Sequence, residues 1–310
     1  MHKIPDEKAL LITLGDPDGI GPEIIKKTLS AFITRTPIVI LGNKRFYNDN
    51  SIRIVEDIKD SAPGSVSFLE VDTKNNDPSF MYVEKAVSHV LNGDAGGIVT
   101  APISKEKWIE AGNNYMGHTD FLVKSAGVKR WAMFFWSEDI KVGLLTTHIP
   151  LREVFVHIKK DKIVNFCRFI HSELFRLTGK KHILLMSGLN PHAGESGTLG
   201  KEEEEEIFPA VEELKDEMNI KGPYPPDTVF LEAGKIKDAV VISLYHDQGL
   251  IPFKLNNINS GVNLTLGLPF IRTSPDHGTA CDIAGKGIAD PRSMKEAVSL
   301  ADQLLKKKLK

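Results

Sequence analysis

The sequence predicts an α/β protein built on a largely parallel sheet. Short apolar runs alternate along the chain with amphipathic helical patterns, as in sheets covered by helices. The runs are apolar almost throughout, as in strands buried on both faces. We expect strands at 10–14, 38–41, 97–100, 142–146, 182–186 and 239–244. We expect helices at 22–32, 83–91, 160–177 and 202–218.

Composition limits the partners and the compartment of the protein. The 310 residues carry 39 lysines and arginines against 41 acidic residues, so the net charge is -2 and nucleic acid is not an expected partner. The two cysteines, Cys167 and Cys281, lie far apart and predict neither a disulfide framework nor a thiolate zinc site. The apolar run at 9–12 is too short for a signal peptide or a membrane span. We therefore expect a soluble, cytoplasmic protein.

One acidic run has an ordinary structural interpretation. Glu202 to Glu206 is interpreted as the solvated first turn of a helix, where acidic side chains are favoured by the helix dipole.

The segments that follow the predicted strands carry most of the chemistry. In such sheets, ligands bind beyond the carboxyl ends of the strands. The glycine-rich turn from Gly15 to Glu23 fits either anion binding through its amides or a tight turn leading into a helix. His118 and Thr119 pair an imidazole with a hydroxyl, and Thr119 is also a candidate helix cap.

Three histidines predict a metal site. His148, His192 and His246 each follow a predicted strand, so their side chains are expected at the same edge of the sheet. Neutral imidazoles suit borderline divalent ions, and three nitrogen ligands leave a position open for a substrate oxygen. Zinc is the first candidate, with cobalt, manganese, nickel or magnesium as alternatives. Asp247 either completes the site or orients the imidazole of His246.

Later residues predict recognition of a doubly anionic substrate. Lys254, Asn263 and Arg272 supply two cations and an amide within an apolar region, a set that suits phosphate and carboxylate together. The glycine-punctuated stretch 275–291 is too irregular for a strand or a long helix, and we interpret it as a binding loop.

This loop resembles the adenosine-binding segment of isopropylmalate dehydrogenase. The likeness covers His277 through Pro291 and implies NAD as the cofactor. Asp282 stands where that family places the aspartate that receives the ribose hydroxyls and disfavours NADP. By the same resemblance, the residues expected to bind the cofactor are His277, Gly278, Thr279, Ala280 and Asp282.

The whole chain from Ile12 onward resembles the 4-hydroxythreonine-4-phosphate dehydrogenase family. The shared motifs are Gly15-Asp16-Pro17, Gly19-Ile20-Gly21-Pro22-Glu23, Thr100-Ala101-Pro102-Ile103-Ser104-Lys105, Gly117-His118-Thr119, Leu189-Asn190-Pro191-His192-Ala193-Gly194-Glu195 and Tyr245-His246-Asp247-Gln248-Gly249. By this resemblance, His148, His192 and His246 bind the metal, and the substrate-binding residues are His118, Thr119, Lys254, Asn263 and Arg272.

The resemblance also implies an architecture and an activity. The expected fold is the two-domain, isopropylmalate dehydrogenase-like α/β fold, with helices on both faces of the sheet and the active site in the interdomain cleft. The expected first domain is 1–115 plus 262–310, and the expected second domain is 116–261, which carries the metal ligands and the dimer interface. The implied protein is a homodimer whose subunits share the metal site. It oxidises and decarboxylates 4-phosphohydroxy-L-threonine to 3-amino-2-oxopropyl phosphate, in pyridoxal phosphate (pyridoxine) biosynthesis.

Several alternatives remain open at the level of the sequence. Asp18 and Pro275 depart from the alanine and valine that family members often carry, which leaves threonate or erythronate 4-phosphate as alternative substrates. Asp247, Asp227 and Lys105 are the candidates for the general base. A phosphate acetyltransferase-like transferase and a non-catalytic binding protein are the rival classes.

Overall fold

The computed structural model describes residues 8–74, 76–257 and 259–308. Its strands are β1 Ala9–Thr13, β2 Ile38–Gly42, β3 Arg53–Val55, β4 Val66–Glu70, β5 Ala95–Thr100, β6 Ala132–Trp136, β7 Lys141–Leu144, β8 Ile183–Ser187, β9 Ile220–Tyr224, β10 Ala239–Ser243, β11 Val262–Leu266 and β12 Ile271–Pro275. Its α-helices are α1 Gly21–Leu29, α2 Pro78–Leu91, α3 Lys105–Glu110, α4 His118–Ser125, α5 Leu151–Val154, α6 Lys160–Thr178, α7 Phe208–Leu214, α8 Val229–Gly234, α9 His246–Asn257 and α10 Arg292–Lys308. Short 3-10 turns lie at Lys44–Phe46, Ile58–Asp60, Phe155–His157 and Pro191–Gly194, and a π-helical turn lies at Glu203–Ile207.

The chain divides into two compact units. The first ends at Trp131 and resumes at Gly267, and the second is Ala132–Leu266. These bounds differ from those of the expected domains, in which the second domain began at residue 116 and ended at residue 261. Residues 118–125 belong to the first unit because Phe121 of α4 packs on Phe80 of α2, with ring centroids 5.1 Å apart. Strand β11 belongs to the second unit because it pairs with β6.

The first unit has a parallel run of strands. Its strand order is β3-β4-β2-β1-β5-β12, and every pairing in that run is parallel. All five residues of β1 and of β2 are buried. These strands are apolar almost throughout because side chains on both of their faces are removed from water.

The second unit has a mixed run, with strand order β11-β6-β7-β10-β8-β9. The pairs β11/β6 and β6/β7 are antiparallel, and the remaining pairs are parallel. Helices cover both faces: Val142 of β7 lies beside Gly249 of α9, whereas a Cβ at the next residue, Gly143, would contact Ile170 of α6. Both units together confirm the predicted α/β class with largely parallel strand pairing.

Helix ends follow local sequence signals in part. Helix α6 ends at Thr178 and is capped by Gly179, which adopts the left-handed φ of 66° that glycine tolerates best. The prediction that Thr119 caps a helix was wrong, because Gly117 occupies the cap position and Thr119 is the second residue of α4. Gly117 has φ 127°, a backbone conformation in which any residue with a side chain would be strained.

All six predicted strands are present with small shifts at their ends, whereas β3, β4, β6, β9, β11 and β12 were not predicted. Within the described residues, no helix is long and apolar enough to cross a membrane.

Candidate active site

A buried arginine marks the first cluster of predicted site residues, in the first unit. Arg272 lies in β12, is 2% exposed, and donates a 2.8 Å hydrogen bond from Nη2 to Oγ1 of Thr100 at the end of β5. Burial lowers the pKa of Arg272 to about 10. The low pKa measures how unfavourable the buried positive charge is, and a bound anion would relieve that cost.

His118 lies within the electrostatic influence of this arginine. Burial, followed by the positive charges of Arg272 and Lys105, lowers the pKa of His118 well below its ordinary value. The imidazole is therefore neutral near pH 7. Its Nε2 atom is buried and has no hydrogen-bond partner among residues 8–74, 76–257 and 259–308. The ring is held edge-on against Trp108, with centroids 5.6 Å apart.

The other predicted substrate-binding residues lie in different places. Thr119 follows His118 in α4. Lys254 is exposed on α9, and Asn263 lies in β11 of the second unit. The Oδ1 atom of Asn263 is buried and has no hydrogen-bond partner in the part of the chain that the structure describes. The first unit thus carries His118, Thr119 and Arg272, and the second carries Lys254 and Asn263.

Two of the three predicted metal ligands come together. His148 follows β7 and His246 begins α9 directly after β10; these strands are parallel neighbours, so their carboxyl ends adjoin. The two imidazole centroids are 5.6 Å apart. Nδ1 of His246 lies 2.8 Å from Oδ1 of Asp247, a contact that fixes the orientation of the ring.

His192, the third predicted ligand, lies in a turn rather than beside the other two histidines in the described chain. It is exposed in the turn Pro191–Gly194 and has φ 55°. Ala193, Glu195 and Ser196 also have positive φ, so four non-glycine residues in this segment adopt a strained conformation. Among the described residues, no three histidine, cysteine, aspartate or glutamate side chains are grouped closely enough to hold one metal ion.

The segment before His192 is fixed by a buried carboxylate. Glu203, 3% exposed, accepts hydrogen bonds at Oε1 from the backbone N–H groups of Leu189 (2.7 Å) and Asn190 (2.8 Å). Its Oε2 accepts from Nδ2 of Asn190 at 2.8 Å. The interpretation of the whole acidic run as solvated was therefore wrong at Glu203. Nothing in a run of five glutamates distinguishes the buried one, because the irregular π-helical turn sets its direction.

Gln248 belongs to the shared motif Tyr245-His246-Asp247-Gln248-Gly249, but the sequence alone indicates no role for it. Its amide is buried between two backbone segments and bonds to both. A long polar side chain two residues after a candidate ligand was the available signal.

The candidate bases belong to different elements. Asp247 is bonded to His246, Asp227 is exposed in the turn before α8, and Lys105 is the first residue of α3.

The predicted binding loop is irregular, as expected, and is attached to α1. Nζ of Lys27 donates to the carbonyls of Gly287 and Ala289, each at 2.8 Å. The carboxylate of Glu23 accepts from the N–H groups of the same two residues. Although burial works in the opposite direction, hydrogen bonds from Lys27 and from these amides lower the pKa of Glu23. Asp282 is exposed within this loop.

The structure favours the tight-turn interpretation of the glycine-rich segment. The N–H of Gly19 is bonded to the carbonyl of Asp16 at 3.0 Å, and that of Ile20 to the carbonyl of Thr279 at 2.9 Å. These amides are engaged within the protein. The turn therefore supports the predicted binding loop at Thr279.

The fold places the chain in a class first. The fold is the α/β fold seen in isocitrate dehydrogenase from Methylococcus capsulatus, which is 14% identical with a TM-score of 0.51 over 97% of this chain and 88% of that chain; this likeness concerns the fold alone. At the level of the family, residues 20–301 match the family described as pyridoxal phosphate biosynthetic protein PdxA. The chain belongs to the PdxA family.

Similar proteins carry dehydrogenase names. The chain is 42% identical to 4-hydroxythreonine-4-phosphate dehydrogenase of Aquifex aeolicus, covering 97% of this chain and 99% of the relative. It is 37% identical to D-threonate 4-phosphate dehydrogenase of Salmonella typhimurium, covering 96% and 99%. The crystal structure of 4-hydroxythreonine-4-phosphate dehydrogenase from Klebsiella pneumoniae matches with a TM-score of 0.82 and 34% identity, covering 96% and 99%. The chain is accordingly an oxidoreductase.

Proposed function

We propose that the protein is an NAD-dependent 4-hydroxythreonine-4-phosphate dehydrogenase. It would convert 4-phosphohydroxy-L-threonine and NAD⁺ to 3-amino-2-oxopropyl phosphate, carbon dioxide and NADH. The observation that carries this proposal is the buried Arg272 beside the neutral His118, in a chain that is 42% identical over nearly its full length to a relative of that name. The name of the relative supplies the reaction, and the cluster supplies a place for the phosphate.

The phosphate is proposed to bind at the start of α4. A helix N-terminus presents unpaired N–H groups to an anion. The neutral imidazole of His118 donates one hydrogen bond, and Arg272, fixed by Thr100, provides the positive charge. Lys105 adds a second positive charge close to the same ring. Thr119, Lys254 and Asn263 complete the proposed set of substrate-binding residues.

The proposed metal site uses the histidine pair. His148 and His246 provide borderline nitrogen donors at a separation compatible with one divalent ion, zinc first. His192 is proposed to join from a second copy of the chain, since the described single chain does not group three ligands. When bound, the ion acts as a Lewis acid that favours loss of the substrate hydroxyl proton and stabilises the negative charge that decarboxylation releases.

The three candidate bases are proposed to have different roles. Asp247 fixes the ring of His246 and thereby acts through that ligand, which favours its orienting role over that of general base. Asp227 and Lys105 then remain the candidate bases. Of these, Lys105 is already proposed to hold its positive charge near the phosphate, and an ammonium group cannot accept a proton, so Asp227 is favoured.

The cofactor is proposed to bind along the loop 276–291, with Asp282 accepting the ribose hydroxyls. Replacing Asp282 by alanine should lower the preference for NAD over NADP, measured as the ratio of the two kcat/KM values. An unchanged ratio would place the ribose elsewhere. His277, Gly278, Thr279 and Ala280 belong to the same proposed site.

A homodimer is proposed from the surface next to the histidine pair. Leu151, Phe155 and Val156 are 60%, 50% and 67% exposed only a few residues after His148. Clustered exposed apolar side chains commonly mark an interface. A partner covering this face would also approach the proposed metal site.

The function is tested by following NADH absorbance with 4-phosphohydroxythreonine, phosphothreonate and phosphoerythronate in parallel. We expect the highest kcat/KM with 4-phosphohydroxythreonine. The second candidate, a D-threonate 4-phosphate dehydrogenase, is favoured by the 37% identical relative and would show the highest kcat/KM with phosphothreonate. Coenzyme A-dependent acyl transfer would instead support the transferase class. Ligand binding without NADH formation from any of the three acids would support a non-catalytic binding protein.

A further inference from the structure

We propose that Gln248 is a positioning residue that sets the spacing between the segment bearing His192 and the helix bearing His246. This inference rests on the proposed function for its catalytic consequence, whereas its structural part concerns the chain alone. It is carried by two buried hydrogen bonds that run in opposite directions from one side-chain amide.

The first bond closes the start of α9. Oε1 of Gln248 accepts a 2.7 Å hydrogen bond from the backbone N–H of Leu244, at the end of β10 and two residues before His246. This acceptor satisfies an amide at the exact place where the strand becomes a helix. The bond therefore fixes the direction in which His246 leaves the sheet.

The second bond reaches the neighbouring strand. Nε2 of Gln248 donates a 2.7 Å hydrogen bond to the carbonyl of Gly188, directly after β8. The next two residues, Leu189 and Asn190, are the ones held by Glu203, and His192 follows them. Gln248 thus joins the end of β10 to the start of the strained turn that presents His192.

A third contact extends the same network to His148. Oγ1 of Thr146 donates a 2.7 Å hydrogen bond to the carbonyl of Leu244, so Leu244 is held on its N–H by Gln248 and on its carbonyl by Thr146. Thr146 is two residues before His148. The backbone segments of all three histidines are thereby tied to one buried network, although the histidine side chains of one chain do not form a single group.

The geometry of an amide suits this role better than other side chains. Gln248 is 9% exposed and must both accept and donate at fixed positions. A carboxylate of the same length could accept from Leu244 but not donate to Gly188. Methionine of similar length could do neither. The two substitutions therefore separate the two bonds.

The test uses hydrogen exchange of the full-length, metal-free protein, read separately over residues 188–200 and over the amide of Leu244. In Gln248→Glu, exchange over 188–200 should accelerate about fivefold, the factor expected for one net hydrogen bond lost, while the amide of Leu244 stays protected. In Gln248→Met, both should accelerate. Gln303→Met, on the exposed face of α10, is the matched control and should change neither.

The catalytic consequence is read from steady-state kinetics and from zinc binding measured by competition with a chromophoric chelator. Substitution of residues that orient metal ligands typically lowers metal affinity or activity by about 10- to 100-fold. In Gln248→Met, we expect kcat and zinc affinity each to decrease by about 10- to 100-fold, with the KM for the phosphorylated substrate changed less than about twofold. Unchanged exchange over 188–200 in both variants would overturn the inference. A parent protein without zinc binding or NADH formation would overturn the proposed function, and the exchange result would still decide the role of Gln248.

Discussion

At the scale of single residues, burial determines the charge of His118. Its pKa in the folded protein is lowered by burial and by Arg272 and Lys105, whereas the pKa of the same histidine in the unfolded chain is about 6.5. As the pH falls below that value, the unfolded state takes up a proton that the folded state does not. Folding stability associated with His118 is therefore present at higher pH and is lost as the pH falls through about 6.5.

The first prediction follows from this sign. When the pH is lowered from about 7.5 to about 5, the free energy of unfolding should decrease less in His118→Gln than in the parent. The reason is that the variant has one fewer group that is protonated only on unfolding. The measurement is chemical denaturation of both proteins at each pH. The same pH slope in both proteins would show that His118 can be protonated in the folded state.

Thr100 provides a second prediction at this scale. Thr100→Val removes the hydrogen bond to Arg272 without changing the size of the side chain. We expect the KM for the phosphorylated substrate to rise about 5- to 10-fold, with kcat changed less than about twofold, because the phosphate contact is made equally before and during the reaction. Steady-state kinetics measure both constants.

The matched control for Thr100 is its neighbour across the strand pair. Thr13 lies in register with Thr100, and its buried Oγ1 has no hydrogen-bond partner among the described residues. Thr13→Val should leave the KM as in the parent. A KM that rises equally in both variants would attribute the effect to packing of the strands rather than to Arg272.

At the scale of elements, the π-helical turn at Glu203–Ile207 holds the loop that presents His192. Glu203→Gln should lower the free energy of unfolding by about 1 to 3 kcal/mol, because only one oxygen remains. If that oxygen accepts from the N–H groups of Leu189 and Asn190, the amide nitrogen faces Nδ2 of Asn190, which loses its acceptor. Denaturant titration measures the change. Glu205→Gln, exposed in the same turn, should stay within about 0.5 kcal/mol of the parent. Equal changes in the two variants would contradict the proposed role of the buried carboxylate.

Elements also differed in how well the sequence predicted them. Strands such as β1 and β10 are apolar at nearly every position because they are buried on both faces, and they were predicted. Strand β12 contains Arg272 between Ile271 and Thr273, so it lacks both an apolar run and a clear alternation. Its strand conformation depends on parallel pairing with β5, which is distant in sequence.

At the scale of the whole molecule, the proposed homodimer is directly measurable. Light scattering should give twice the 34.3 kDa mass of the chain. Phe155→Asp should shift the mass to that of one chain, because a charge would be buried in the proposed interface. Phe175→Asp is the matched control, since Phe175 has the same 50% exposure but lies on α6. A parent of single-chain mass would contradict the dimer and, with it, the shared metal site.

The sequence by itself determined the α/β class, six strands of the sheet and the irregular conformation of the predicted binding loop. Apolar periodicity and glycine spacing are local properties, and they predict local structure. The chain's motifs also led to the family that the comparisons show. Only the tertiary structure decided the charge of His118, the partner of Arg272, the burial of Glu203 and the two bonds of Gln248. Each of these depends on which distant segments pack around a side chain, and desolvation by such neighbours leaves no local pattern in the sequence.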